Sequence, residues 1–374
     1  RPHLSTAPSN MDHVLAIFAD FRGLDNNRRR AAEEQINQFH TQPGFSSVLL
    51  QIILNQELDF NTRHLAGVNL KILTRAHWSR LDDKFQEPEL TLQEKEDLKQ
   101  HTPNLLSDPS TKIRTQAAQI MTIMAGWDWP AQWPGLVENL TLCLQSDDLH
   151  LVHGAMKTLD MFASGKNLTD VHIPLLVDVV FPQLQRIFGE NAYPERIRMR
   201  AVRILFSIVT WLGLVKSVYP QHTSRALKPT LPAWYELFIA ELSKPDEFGA
   251  GHGSKIGVLQ TIHQLLTDFP EFIKSSLPHM LEPLWLSLQS GVAIWERTSV
   301  YGNEKDNSGY DSDAGDEIGF KNYLCMLVEV FTLIDEKKKM QGLLEHGLSD
   351  LAYVVLRLVQ LSDYQASLYD EDPS

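Results

Sequence analysis

The chain has 374 residues, 43% of them apolar, with a formal net charge of −13 and two cysteines. That apolar share supports a packed core and excludes global disorder, while the acidity disfavours direct nucleic-acid binding and favours basic protein surfaces. No apolar run reaches the roughly 18 residues of a membrane span, and residues 1–10 lack the apolar centre of a signal peptide and read as a loose tail. From residue 11 onward apolar positions recur at helical spacing, and Pro, Gly, Asn and Asp mark the breaks. Helix pairs are predicted over 11–21 and 26–40, 45–56 and 61–78, 91–106 and 110–124, and 133–145 and 149–164. Two more follow over 173–188 and 194–213, and over 228–242 and 254–268. A helical stretch at 270–300 leads to an acidic segment, and helices at 318–335 and 339–360 close the chain. Asp108-Pro109-Ser110 offers a turn ahead of one second helix, and Asp147 and Asp148 offer a cap ahead of the next. The stop at YDEDPS has no helix-closing signal and no polar cap, and reads as the end of a fragment.

The second helices of the pairs resemble one another. Each places a small residue four positions before a larger apolar one: Ala32 and Ile36, Ala66 and Leu70, Ala117 and Met121, Ala155 and Leu159, Ala201 and Leu205. Four residues is one helical turn, so both share a face; the small one admits a neighbouring helix and the large one fills its groove. The sixth helix departs, with Gly257 before Thr261. Intervals of 34 to 56 residues between successive anchors fit the HEAT or armadillo period best.

Segment 26–78 reads NNRRRAAEEQINQF, then GFSSVLLQIIL, then NTRHLAGVNLKILTRAHW. It resembles the opening of the importin-β (karyopherin-β) family of nuclear transport receptors. Arg63, Ala66, Leu70, Lys71 and Trp78 hold the places of that family's R-x-x-A…L-K…W helix, and Ile72 stands where many members carry Asn. The turn DWPAQWPGL at 128–136 is similar to the W-P-x-L turn of the family's fourth repeat, through Trp133 and Pro134.

The resemblance implies an all-α HEAT-repeat α-solenoid, a right-handed superhelix of antiparallel helix pairs. Repeats 1 to about 7 would occupy 11–300 and further HEAT helices 318–374, the chain being truncated relative to the family. It also implies an import receptor that shuttles between cytoplasm and nucleus. The expected partners are the GTP form of the Ran GTPase, bound within 11–165, basic cargo such as core histones and ribosomal proteins, and nucleoporin Phe-Gly repeats. Ran contacts are assigned to the exposed faces of the first four second helices, at Arg30, Glu33, Arg63, Asn69, Lys71, Arg114 and Asp160. An exportin of the same family and a HEAT-repeat scaffold or adaptor share the repeats and stay open as alternatives.

The segment 301–317 interrupts the helical pattern and reads as an acidic loop. Glu304, Asp306, Asp311, Asp313, Asp316 and Glu317 oppose one base, Lys305. Such a loop suits either Lys/Arg-rich cargo or a plain solvated connection, and Ser308 and Ser312 lie in acidophilic kinase contexts. The second-helix faces are expected to form an acidic trough for a basic protein guest.

Chemistry is absent from the sequence motifs. No GxxxxGK[ST] loop, HExxH frame or nucleophile elbow occurs, so no catalytic residue, cofactor or metal is expected. His150 and His153 lie three apart but read as surface or packing groups. The run GAGHG at 249–253 reads as a turn. Cys143 and Cys325 read as reduced core thiols of a reducing compartment. Trp127, Trp129 and Trp133 read as a wedge between helix pairs, with an apolar slot between first helices as a Phe-Gly docking candidate.

Overall fold

The computed structural model describes residues 8–164, 176–302 and 318–359, and among these every regular element is helical. Two compact units divide the chain, residues 1–179 and 180–374.

The first unit contains α1 (Pro8–Phe21), α2 (Asn26–Phe39), α3 (Phe45–Leu54), α4 (Phe60–His77) and α5 (Leu92–His101). A 3₁₀ turn (Thr102–Ser107) then leads to α6 (Thr111–Asp128), α7 (Leu136–Leu144) and α8 (Leu149–Ala163). The starts follow from side-chain caps that satisfy otherwise orphaned amides. Asp25 accepts from the Asn27 N–H at 2.8 Å, and Asp59 accepts from the Thr62 N–H at 3.1 Å. Asp148 accepts from the His150 N–H at 2.8 Å, which is the cap expected there. Thr91 and Glu94 form a reciprocal capping box on α5. Glu94 also reaches the preceding pair, accepting from the Gly44 N–H at 2.8 Å and the Ser46 hydroxyl at 2.9 Å. Gly44 takes a positive φ of 83° there, which only glycine adopts at little cost.

Helices α4, α6 and α8 pack side by side, with α3, α5 and α7 in the other layer. This is the two-layer, neighbour-on-neighbour arrangement of a helical repeat. The small-then-large pattern explains the packing. Ala32, Ala66, Ala117, Ala155 and Ala201 are all buried, as are Ile36, Leu70, Met121, Leu159 and Leu205. Gly154, beside Ala155, sits so close to the Leu106 backbone that a Cβ would overlap it.

The second unit repeats the plan with α9 (Phe181–Gly189), α10 (Glu195–Val215), α11 (Pro220–Leu242) and α12 (Gly253–Asp268). A short turn (Pro270–Ile273) precedes α13 (Leu277–Trp295), and α14 (Phe320–Glu336) and α15 (Leu348–Leu358) follow. Helices α10, α12 and α14 stack on one another. Gly257 serves the role of the missing alanine: a Cβ there would lie 2.5 Å from Val202 Cγ1.

Three predicted boundaries need correction. Helix α11 begins at Pro220, not 228, and carries Pro229 and Pro232 internally. Proline suits the first turn; inside the helix Pro229 and Pro232 leave the Arg225 and Lys228 carbonyls without their i+4 N–H donors, while the Thr230 hydroxyl donates to the Ala226 carbonyl at 3.1 Å. The stretch 270–300 is broken at 274–276, and its last five residues form a π turn (Glu296–Val300). The final helix is shorter than 339–360, because a 3₁₀ turn (Gln341–Leu343) occupies its start.

Candidate partner-binding face

The first turn of each second helix from α4 onward tends to carry a cation, and most of these cations look inward. The Arg63 Nε donates to the Ile53 carbonyl at the end of α3 at 2.8 Å, while its guanidinium pairs with buried Asp108. Arg198 repeats this on α10, donating to the Phe188 carbonyl at 3.0 Å and pairing with buried Glu241. Arg114 reaches the Asp108 carbonyl at 2.5 Å and the Pro109 carbonyl at 3.0 Å. Lys255 on α12 donates to the Lys244 carbonyl and to Asp246, each at 2.6 Å. A cation placed on the free carbonyls ending the preceding helix satisfies them and offsets the negative end of the helix dipole. The device joins the two helices of one pair and reaches an acid of the next.

This corrects the expected exposure of four residues. Arg63, Asn69, Arg114 and Asp160 are buried and do not lie on an open face. Asn69 donates to the Leu65 carbonyl at 2.9 Å and faces His40 across 3.4 Å. Burial pushes the His40 imidazole below its ordinary pKa despite that contact. Arg30 and Glu33 are exposed on α2, and Lys71 is half-buried on α4. The sequence assignment did not name Ile72, 48% exposed, or exposed Arg75, although both lie on the same helix surface as Lys71. Arg75, four residues after Lys71 and three after Ile72, was the available signal.

The charge of that face also differs from the acidic trough expected. Helix α4 carries no acid over its whole length, and Asp128 of α6 is buried. The outward residues of α4 are Phe60, His64, Lys71, Ile72 and Arg75, joined by exposed Lys112 at the start of α6. The ring of His64 stacks on Phe60 with centroids 5.4 Å apart, and the Lys112 ammonium lies 5.8 Å from the same Phe60 ring. Burial, with Lys112 and Lys71 close by, lowers the His64 pKa, so the ring is chiefly neutral at neutral pH. The acids that give the chain its net charge lie elsewhere. The acidic-loop residues Glu304, Asp306, Asp311, Asp313, Asp316 and Glu317 fall outside the described residues.

The opposite layer holds a slot of about 370 Å³ between α5 and α7. Leu106, Met121, Trp133, Leu136, Leu140 and Cys143 supply its apolar wall, with Glu96, Lys99, Gln100 and Asn139 also lining it. Trp133 and Trp129 are buried, and Trp129 meets Phe162 edge-on at 5.1 Å, while Trp127 is 36% exposed on the α6 side. The tryptophans therefore divide, with two inside and one at the surface. Trp78 is buried as well, donating its indole N–H to Asp128 at 3.0 Å; Asp128 also pairs with Lys99 at 3.2 Å.

The cysteines are not core thiols. Cys143 is half-buried on the slot wall and Cys325 is exposed. Burial raises the Cys143 pKa, which keeps it a thiol. His153 is buried and His150 exposed. Among the described residues no group of three or more His, Cys, Asp or Glu is placed to hold a metal ion, and no helix is long and apolar enough to cross a membrane.

Residues 32–108, spanning most of α2 through the 3₁₀ turn, match the family description Importin-beta N-terminal domain. Importin-9 of Drosophila melanogaster is 25% identical over 96% of this chain and 36% of its own length. Importin-11 of Mus musculus is 34% identical over 39% of this chain and 14% of its own. The chain thus spans about a third of the curated relative that it matches along nearly its whole length. The exportin Cse1 in its cargo-free, cytoplasmic state superposes with a TM-score of 0.68 at 15% identity, covering 97% of this chain and 39% of that one. A Kap95:Nup1 complex gives 0.63 at 13% identity, with 90% and 36% covered. A structure in which Kap95p binding induces the switch loops of RanGDP to adopt the GTP-bound conformation gives 0.61 at 13% identity, with 97% and 37% covered. These likenesses place the fold among the karyopherin helical-repeat solenoids.

Proposed function

We propose that this chain, a member of the importin-β family, is the Ran-binding part of a nuclear import receptor and not an enzyme. The observation that carries the reading is the match of residues 32–108 to the Importin-beta N-terminal domain, whose helix α4 turns an open stripe away from its own core. Arg30, Glu33 and Lys71, with Ile72 and Arg75 added, are the side chains available for Ran in its GTP form. Arg63, Asn69, Arg114 and Asp160 hold the helices that present them. Support for Ran and nucleoporin partners comes from Kap95, which has been captured with each.

The slot between α5 and α7 is the proposed seat for a Phe-Gly repeat. Its volume and apolar wall suit one aromatic side chain, and the polar groups at its rim suit the adjoining backbone. Basic cargo, with core histones and ribosomal proteins as the expected class, is proposed to engage the acidic segment 301–317, whose charge is a property of the sequence. A receptor with these partners passes between cytoplasm and nucleus.

The test is capture of the chain on Ran loaded with a GTP analogue or with GDP, with and without a histone dimer. Retention by the GTP form alone, with the histone released as Ran binds, is the expected outcome. Equal retention of both nucleotide forms, or of neither, contradicts the reading. Histone and Ran-GTP bound together would instead mark an exporter.

A further inference from the structure

The open face of α4 and α6 is basic in a chain whose net charge is −13. We infer that this face binds an extended, carboxylate-rich protein segment with an apolar anchor residue. The face overlaps the one proposed for Ran, so the two partners would exclude each other, but peptide binding requires no nucleotide-bound partner and is tested without Ran.

Three observations carry it. First, among the described residues Lys71, Arg75 and Lys112 form no ion pair, while Arg63 and Arg114, the other Lys or Arg residues of the same two helices, are turned inward onto carbonyls. Unpaired cations on an acid-free helix face keep their full attraction for an incoming carboxylate. Second, the cations adjoin apolar groups, although Arg75 and Lys112 are exposed. Phe60, 38% exposed, carries His64 on one side and Lys112 within reach of its ring, and Ile72, 48% exposed, lies one turn before Arg75. Partial desolvation strengthens each charge contact, and exposed apolar surface adds burial when a partner covers it.

Third, the stripe ends in a cavity. Arg75 opens onto a pocket of about 460 Å³ formed with Leu81, Ile123 and Trp127. Leu81 is 83% exposed and Trp127 36%, so an apolar side chain entering there covers two large apolar groups at once. Asp82, Asp83 and Lys84 also border this pocket, so its charge is mixed and its selectivity lies in shape, whereas the stripe leading to it carries only positive charge.

The dimensions fix the occupant. From Phe60 to Arg75 the helix rises about 22 Å at 1.5 Å per residue. An extended chain covers that in about seven residues at 3.3 Å each. A peptide is favoured over a nucleic acid because the stripe sets its cations beside apolar groups, which suits a chain of mixed carboxylate and apolar side chains.

The experiment is fluorescence anisotropy with a labelled peptide of about eight residues, Glu/Asp-rich and ending in a Phe-Leu anchor. Its Gln/Asn counterpart and a single-stranded RNA of similar charge serve as comparisons. The acidic peptide is expected to bind at least about tenfold tighter than the amide version, and the K71E/K112E double variant to lose at least about tenfold. Trp127→Ala is expected to weaken the anchored peptide several-fold and to leave a peptide without the anchor unchanged. Lys321→Glu, an exposed lysine of the second unit, is expected to change nothing. Circular dichroism melting confirms that each variant folds. Absence of binding, equal affinity for the amide peptide or the RNA, or indifference to K71E/K112E overturns the inference.

Discussion

Arg63 in the first unit and Arg198 in the second solve one problem with the same geometry and different neighbours. Each bonds through Nε to the carbonyl ten positions earlier, at the end of the preceding helix, and each pairs with a buried acid of the following repeat. Around Arg63 the acid is Asp108, whose other donors are neutral: the Gln56 amide at 3.1 Å and the Ser110 N–H at 2.8 Å. Around Arg198 the acid is Glu241, which Lys244 also reaches at 2.6 Å, and the guanidinium lies over the Phe188 ring. A repeat protein has no long-range core to average out a fault, so each interface must carry its own polar bond. In the second unit the second cation, Lys244, sits on the carboxylate itself, whereas in the first Arg114 is held on the Asp108 backbone carbonyl.

That difference sets the largest expected effect. Arg63→Ala leaves the Asp108 carboxylate with the neutral Gln56 and Ser110 donors and is expected to cost about 3–5 kcal/mol, whereas Arg198→Ala falls at or below the lower end because Lys244 still bonds the Glu241 carboxylate. Calorimetric melting of both variants decides this, and equal losses would remove the distinction. The glycines sharpen the comparison next. Gly154→Ala drives a methyl into the Leu106 backbone, which cannot step aside, while Gly257→Ala meets only the end of the Val202 side chain. We expect about 3 kcal/mol for the first and about 1 kcal/mol for the second, from denaturant titration.

A smaller effect separates pairs by pH. Burial raises the Glu94 pKa, but the hydrogen bonds from Thr91, Gly44 and Ser46 outweigh it, so the carboxyl sits below its ordinary 4.5. A depressed folded-state pKa contributes stability above pH 4.5 that disappears as the pH falls through the lower folded value. Glu94→Gln is therefore expected to flatten the acid side of the stability curve below that pH and to leave its slope near neutrality unchanged. The smallest effect belongs to the exposed pair of Arg22 and Asp59, 2.8 Å apart. Arg22→Ala is expected to cost less than about 1 kcal/mol, because solvent and salt screen the pair.

Helix pairing was legible because periodicity and the small-then-large spacing report packing directly. Ala66 with Leu70 and Ala117 with Met121 are buried as the pattern requires. Side-chain direction at the helix starts was not legible. Arg63 and Lys71 look equally available in one dimension, and only the position of the Ile53 carbonyl and of Asp108, 45 residues later, turns the first inward. Net charge misled for a related reason. It sums over the whole chain, whereas a partner meets one face, and the α4 face is an exception to the sum. The start of α11 was missed at Pro220, a residue that suits a first turn, and the helix runs on through Pro229 and Pro232.

Amine labelling read by mass spectrometry tests most directly the proposal that the outward face of α4, with Lys112 of α6 beside it, serves Ran. Lys71 and Lys112 should lose labelling when Ran loaded with a GTP analogue is added and keep it with Ran-GDP, while Lys228 and Lys321 label equally throughout. Undiminished labelling of Lys71 and Lys112 in a demonstrated complex would contradict the account.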